Sequence, residues 1–305
     1  MKPVNSSISS SKPESAKRIW PLEIAKTCAL IIGWVLLADI AVQTGLSFGN
    51  KVLHGKLDPI VTYFDYGRSV PGKLKQQFNE DAAPVKAAWR DALLETSAAQ
   101  FAQYHAPSYR FYGMSFSNHI AKEWRALDPT IQIDEMNGPG APANATFDWA
   151  IADRANRREG DVVVWTILSS SLSGMASLSR QTWSFEQPTP FTAPVYSIEN
   201  GALVATRPIV DTYEKAKRAQ GNTTSAIAQN WITQLKITDL NYSPYAYALP
   251  RLDILPSARM IRRAVATADI KRRRKAIVGI GRDKPLYPYT EILKLMASEL
   301  AQQTT

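Results

Sequence analysis

The stretch SYRFYGMSFSNHIAKEW, residues 108–124, places Ser115 between a run that reads as a strand and one that reads as a helix. Two roles are open to a serine there. It caps the helix, its commonest structural role, or it is a nucleophile. A nucleophilic hydroxyl needs a base within hydrogen-bond reach and N–H donors aimed at a developing oxyanion. The chain has three histidines, His54, His105 and His119. His119 follows Ser115 by four positions, so the two share a face if the helix begins at once. It is the candidate base, with a surface role as the alternative. His54 lies beside the apolar N-terminal segment and His105 in the approach to the strand. Further on, Trp183, Phe185 and Phe191 form either an aromatic shelf for a sugar or acyl chain or a surface that packs a neighbouring hairpin. No His/Cys/Asp/Glu cluster has metal-ligand spacing, and no Gly-x-x-x-x-Gly-Lys phosphate loop is present. No metal and no cofactor are therefore expected.

Charge narrows the partners. The formal net charge of +9 favours contact with something acidic: anionic lipid, anionic polysaccharide or nucleic acid. No zinc-finger spacing, RNA-binding aromatic signature or helix-turn-helix pattern supports nucleic acid, so none is expected. The segment 257–276, SARMIRRAVATADIKRRRKA, reads as a basic helix. Its Arg262, Arg263 and 271–275 charges are expected on a solvated face, with an acidic partner as the alternative. Cys28 is the sole cysteine and cannot form an internal disulfide. Asn144-Ala-Thr146 and Asn222-Thr-Thr224 match the short glycosylation pattern.

The elements that position these residues begin with an apolar run. TCALIIGWVLLADIAVQTGL, residues 27–46, is about as long as a bilayer-spanning helix needs and holds one charge, Asp39. Lys2, Lys12, Lys17, Arg18 and Lys26 precede it, which puts the N-terminus in the cytoplasm by the positive-inside bias. The expected organisation is a cytoplasmic tail over 1–22, a transmembrane anchor over 23–47, a helical connector over 48–106 and an α/β domain over 107–305. A cleaved signal peptide and a buried helix are the competing readings of the apolar run. Asp39 faces a partner helix or lies near enough to one end to reach water. Asp65 and Arg68 read as a local ion pair at a turn, with a binding role as the alternative.

After residue 108 strand and helix alternate: YRFYGMS, FSNHIAKEWRAL, IQIDEMN, FDWAIADRANR and then DVVVWTIL over 161–168. The pattern predicts an α/β fold with a parallel sheet and flanking helices. The continuous apolar run of the third strand predicts cover on both faces. Residues 180–210 break the alternation, and Asn200-Gly201 between β-rich runs predicts a hairpin insertion. Pro244, Pro250 and Pro256 mark a loop-like stretch. Ile292, Leu293, Met296 and Leu300 give the last helix an apolar stripe.

YGMSFS departs from the Gly-x-Ser-x-Gly elbow of α/β-hydrolases, because Ser117 stands where the second glycine belongs. It resembles the first block of the SGNH (GDSL) hydrolases, Gly-Asp-Ser followed by an apolar residue and Ser or Thr, with Met114 in place of the Asp. MNGPGAP resembles the second block, a glycine turn whose N–H serves the oxyanion hole; Gly138 and Gly140 are the matching residues. VVVWTILSSSLSG resembles the third, where Ser170 or Ser171 stands near the family's Asn; a hydroxyl can donate one hydrogen bond there. The likeness covers about residues 108–175. With the preceding FDYGRSVPGKL and the anchor, it looks like a membrane-anchored subgroup associated with exopolysaccharide clusters.

The family's base lies in a late Asp-x-x-His block, and no histidine follows residue 119. The resemblance therefore implies a three-layer SGNH/flavodoxin-like sheet that is truncated or rearranged at its C-terminus. A truncated sheet is expected to expose an unpaired edge and the apolar stripe of the last helix. Two functions follow as expectations. One is an esterase or acyltransferase, single-pass in the inner membrane with its domain in the periplasm, acting through Ser115 on acyl esters of envelope polysaccharide. The other is a non-catalytic anchored component that binds an acidic glycan or an envelope protein partner, with Ser115 as a cap.

Overall fold

A computed structural model of the chain describes residues 20–79, 89–103, 107–221 and 225–302. Helix α1, Trp20–Val52, leads. Its Glu23–Val52 stretch is long and apolar enough to cross a membrane, and it is the one such helix among the described residues. Leu30, Ile31, Ile32, Trp34 and Leu37 are all exposed on it. Asp39 is the exception, at 6% exposure. Helices α2 (Asp58–Asp65), α3 (Val70–Asn79) and α4 (Arg90–Phe101) follow. Val70 and Leu74 of α3 are fully buried against Phe185, Ala246, Ala266 and Ile270, so this stretch packs into the globular part of the chain.

Strands β1 (Tyr109–Met114), β2 (Ile133–Gly138) and β3 (Val162–Trp165) form a parallel sheet in the order β2-β1-β3. The crossovers are α5 (Phe116–Leu127) and α6 (Ala143–Ala152). Successive strand side chains point to opposite faces. Phe111 and Ile133 meet Ala121 and Trp124 of α5 on one face, while Tyr112 and Met136 meet α6 on the other. The chain is thus α/β with a parallel sheet and flanking helices, but the parallel sheet has only three strands among the described residues.

β3 pairs with β1 on one side only, and Val162 is 46% exposed. Its apolar run marks an edge strand and not the doubly covered strand that the sequence suggested. Past the short helix α7 (Arg180–Trp183), β4 (Val195–Glu199) and β5 (Ala202–Thr206) form the expected antiparallel hairpin. Asn200 and Gly201 take φ of 51° and 79° at its turn, the left-handed pair that a two-residue hairpin requires.

Helices α8 (Tyr213–Gly221) and α9 (Ala226–Thr238) lead into α10 (Pro244–Tyr247), a 3₁₀ turn (Pro250–Ile254), α11 (Pro256–Ile277) and α12 (Tyr289–Gln302). The three prolines that read as loop markers each open a helical segment. Proline suits that position because the N–H it lacks has no intrahelical partner there. The stripe of α12 is not exposed. Ile292, Met296 and Leu300 are buried with Ile277 and Tyr287 in the same core as the sheet.

The N-terminal ends of all three strands are tied by one buried guanidinium. Arg110, 1% exposed, stands in register with Asp134 on β2 and pairs with it. It also lies 3.5 Å from Asp153, after α6, and 3.4 Å from Asp161, before β3. Ser97 of α4 bridges Asp134 and Asp153 at 3.0 and 2.8 Å, and Tyr112 donates to Asp153 at 2.7 Å. Burial still raises the Asp134 carboxyl pKa, in spite of Arg110.

Removing the cation leaves three buried carboxylates facing one another, which costs about 3–5 kcal/mol. Arg110→Ala is therefore expected to lower the urea midpoint by the equivalent of that loss of about 3–5 kcal/mol. Arg110→Lys should recover little, because one ammonium cannot replace a planar fork with several donors. Urea unfolding of the two variants in detergent, followed by tryptophan fluorescence, checks this; a wild-type midpoint for Arg110→Ala would exclude the network as the fold's anchor.

Candidate functional site

In an open α/β sheet the crevice for a ligand lies beyond the carboxyl ends of the strands, where the strand order reverses. With order β2-β1-β3, that point is the gap between the ends of β1 and β3. Ser115 immediately follows β1, and Thr166, Ile167, Leu168 and Ser169 follow β3. Ile167 and Leu168 are exposed there.

Ser115 is exposed and already helical, with φ −51° and ψ −24°, and its side chain makes no capping hydrogen bond. A capping residue takes non-helical angles so that its side-chain oxygen can reach back to the first N–H groups. The capping role therefore does not hold. His119 is also exposed, one turn along α5, and no hydrogen bond joins it to Ser115 among the described residues. The structure does not assemble the base that the four-residue spacing suggested. His54 lies in the turn after α1, with φ 48°. His105 falls outside the described residues; Pro107, two positions on, is at the end of β1 opposite Ser115.

The serine engaged at this end of the sheet is Ser117. It is fully buried, donates to Met114 O at 2.6 Å and contacts Asn137 of β2. Asn137 in turn donates to Asn118 and to Glu135 (3.0 Å), and Arg125 donates to Glu135 at 2.5 Å. Gly113 makes this possible. A Cβ there would sit 1.9 Å from Thr166 Oγ1 and 2.6 Å from Ser117 Oγ, so only glycine lets β1 meet the turn after β3. Reading the sequence for a nucleophile missed Gly113, Ser117, Asn137 and Thr166. The available signal was the glycine two places before Ser115.

Gly138 stands in register with Met114, so the second turn does flank Ser115. Both of its glycines have packing reasons. A Cβ on Gly138 would meet the Trp149 ring at 2.5 Å. Gly140 has φ +64°, and its Cβ would lie 2.6 Å from the Arg180 guanidinium carbon. Arg180 donates to Pro139 O at 2.8 Å, which closes the turn. A void of about 30 Å³ lies between this turn, Trp149, Trp183 and Phe191. That is room for a water, not for a sugar or an acyl chain. Ser115 does not line it.

Of the two roles open to Trp183, Phe185 and Phe191, the aromatic shelf is not formed. Trp183 and Phe185 are buried, at 7% and 4% exposure, and Phe191 is half-buried against Trp89. Trp183 packs below Gly174 with the Arg274 guanidinium 5.1 Å from its ring, and Lys73 sits 3.8 Å from the Phe185 ring. Ser171 is buried and donates to Leu168 O at 2.7 Å, closing its own turn, whereas Ser170 is exposed. Asn144 is fully buried and donates to Pro194 O at 2.7 Å, so it is not a surface glycosylation acceptor; Asn222 falls outside the described residues.

Asp239 anchors the segment beneath this region. It accepts from Leu178 N (2.9 Å), Thr182 Oγ1 (2.7 Å) and Asn241 N (2.9 Å). Asn241 then donates to Ser173 O and Ser177 Oγ, both at 2.7 Å. Burial pushes the Asp239 carboxyl up to about 7, against those hydrogen bonds. Compared with known proteins, the chain matches no family model, no curated protein and no solved structure.

A carboxyl whose folded pKa is raised binds its proton in the native state while the unfolded chain has already lost it. Stability contributed by Asp239 is therefore present below about pH 4 and lost as pH rises toward about 7. Asp239→Asn should flatten that slope. Thermal melts across this range check it; an unchanged slope in the variant would assign the pH dependence elsewhere.

Proposed function

We propose that this chain is a membrane-anchored protein on an SGNH-like scaffold. It acts as a non-catalytic, glycan-binding or assembly component of exopolysaccharide machinery. The observation that carries this reading is the exposed, unpaired state of the Ser115 hydroxyl, which has no histidine on it among the described residues. Loss of the base typically costs several orders of magnitude in rate. The net charge of +9 favours an acidic glycan as the bound species. The basic residues before α1 support an inner-membrane anchor with the domain in the periplasm.

One observation favours a second reading, an esterase or acyltransferase acting on acyl esters of envelope polysaccharide. Ser115 lies beyond the carboxyl end of the central strand, beside Gly138 in register. In that reading Ser115 attacks the ester carbonyl, the Gly138–Gly140 turn supplies oxyanion donors, and the acyl group passes from Ser115 to water or a sugar hydroxyl; the base comes from a partner chain, because His119 makes no hydrogen bond to Ser115 among the described residues.

A fluorophosphonate probe, applied to the full chain in detergent from about pH 6 to 9, separates the two. The expected result is no labelling of either wild type or Ser115→Ala. Labelling that disappears in Ser115→Ala would overturn the non-catalytic reading. The same preparations, passed over an immobilised acidic polysaccharide, should be retained equally and elute with salt; no retention removes the glycan from the proposal.

A further inference from the structure

Helix α11 faces outward with the wrong chemistry for water. Met260, Ile261, Ala264, Val265 and Ala268 form its exposed stripe, with Ile261 at 66% exposure. The arginines between them turn inward. Arg259 donates to Asp65 at 3.0 Å. Arg262 reaches the Asp253 carboxylate and the carbonyls of Gly67 and Leu249. Arg263 pairs with Glu186 at 2.8 Å over the rings of Tyr63 and Tyr66. The solvated face expected for these charges is thus corrected for Arg262, which is buried, while Arg263 is half-buried against Glu186 and Lys271, Arg272 and Lys275 are exposed as expected. The 3₁₀ turn before the helix extends the patch, with Leu249 and Ile254 at 65% and 69% exposure. Burying ions while exposing hydrocarbon is unfavourable in water on both counts. It suits a surface whose outer medium is apolar.

The position of that surface is fixed by one contact. Asp39 of α1 accepts from Ser257 N at 2.9 Å and from Ser257 Oγ at 2.5 Å, at the start of α11. A span needs about 20 residues. Every such window inside Glu23–Val52 contains Asp39, because the first ends at residue 42 and the last begins at residue 33. With the span over 27–46, Asp39 lies seven residues, about 10 Å, inside its nearer end. Interfacial helices bury their apolar face by about 5–10 Å, so the first turns of α11 are held at that depth. Lys271, Arg272 and Lys275 continue the same stripe about 20 Å along the helix from Ser257, and there the exposed face becomes basic.

We infer that the face from Leu249 to Ala268 is a second membrane contact. It seats on the lipid bilayer beside α1, with Lys271, Arg272 and Lys275 on lipid phosphate groups. The inference rests on the reading of α1 as a membrane span. Lipid is the occupant, and not a second copy, because the patch starts where α11 is bonded to the apolar helix α1 and passes into a cationic end that matches headgroup charge. The globular part is then held at one height and tilt, and the crevice beyond β1 and β3 has a fixed orientation to the membrane.

The test uses the full chain with Cys28→Ser, reconstituted in vesicles of phosphatidylcholine and phosphatidylglycerol. Single cysteines at Ile32→Cys, Ile261→Cys and Arg218→Cys carry a nitrobenzoxadiazole probe, and lipids bearing spin labels quench it. Ile32 and Ile261 are expected to be quenched several-fold more than the exposed Arg218 position. Quenching at Ile32 but not at Ile261 would overturn the inference and leave the anchor standing. Quenching at neither would remove the anchor and the inference together. Quenching equal at all three means general adsorption and also overturns it, as would an Ile261→Cys disulfide dimer without quenching, which would mean that a second copy covers the face. Reversing Lys271, Arg272 and Lys275 to Glu should reduce quenching at Ile261 in these vesicles but not in phosphatidylcholine alone; no reduction removes the headgroup contact.

Discussion

The fold depends on a charge that water cannot reach. Arg110 sits at the N-terminal end of β1 with Asp134, Asp153 and Asp161 around it, and these residues belong to every strand of the parallel sheet or to the segments that feed it. Burial of alternate side chains of β1 and β2 on the two faces of the sheet specifies register by pattern. A guanidinium with fixed donor directions does so by geometry, since shifting β2 by one residue would carry Asp134 to the other face. The arrangement also divides the sheet by task. Ionic constraint is concentrated at the N-terminal ends, and the carboxyl ends, where Ser115 and Thr166 lie, are left to short polar contacts and glycine packing.

A second ionic cluster does for the segment after α1 what the first does for the sheet. Asp253 accepts from Ser69 N (3.0 Å) and Ser69 Oγ (2.7 Å), and from Arg262, while Asp65 holds both Arg68 (2.7 Å) and Arg259 (3.0 Å). The pair Asp65–Arg68 is thus the local ion pair that the sequence suggested, extended by a residue almost two hundred positions away. Gly67 has no room for a side chain: a Cβ would lie 2.1 Å from Arg259 O. The segment after α1 is clamped to α11 and is part of the globular body.

Much of this organisation was legible in the sequence, for identifiable reasons. The three strands followed from apolar runs between turn residues, and the hairpin from Asn200-Gly201, because left-handed backbone angles admit few residue types. The apolar stretch of α1 followed from hydropathy, although the helix runs past the expected end at residue 47 to Val52. What failed were inferences about which side of an element meets water. Periodicity separates two faces of α11 but does not say which is inside, and Arg259 and Arg262 are buried because their partners, Asp65 and Asp253, come from distant segments. The same blindness made β3 a covered strand, although Val162 is exposed, and left Trp183 open between a ligand shelf and a packing surface, which burial under Gly174 and the arginines decides for packing.

Ser115 shows the limit most clearly. Its place beyond the central strand was readable, yet that place is a property of the fold: in any α/β sheet some residue must follow β1 at the reversal of strand order. Catalysis requires more than address. The polar groups nearest by chain and by register, Ser117, Asn118, Glu135 and Asn137, form a chain of hydrogen bonds that closes on Met114 O and on Arg125. They stabilise the turn and leave the Ser115 hydroxyl to solvent. A hydroxyl in bulk water, with its proton donated to water and no acceptor fixed on it, keeps an ordinary alcohol's reactivity.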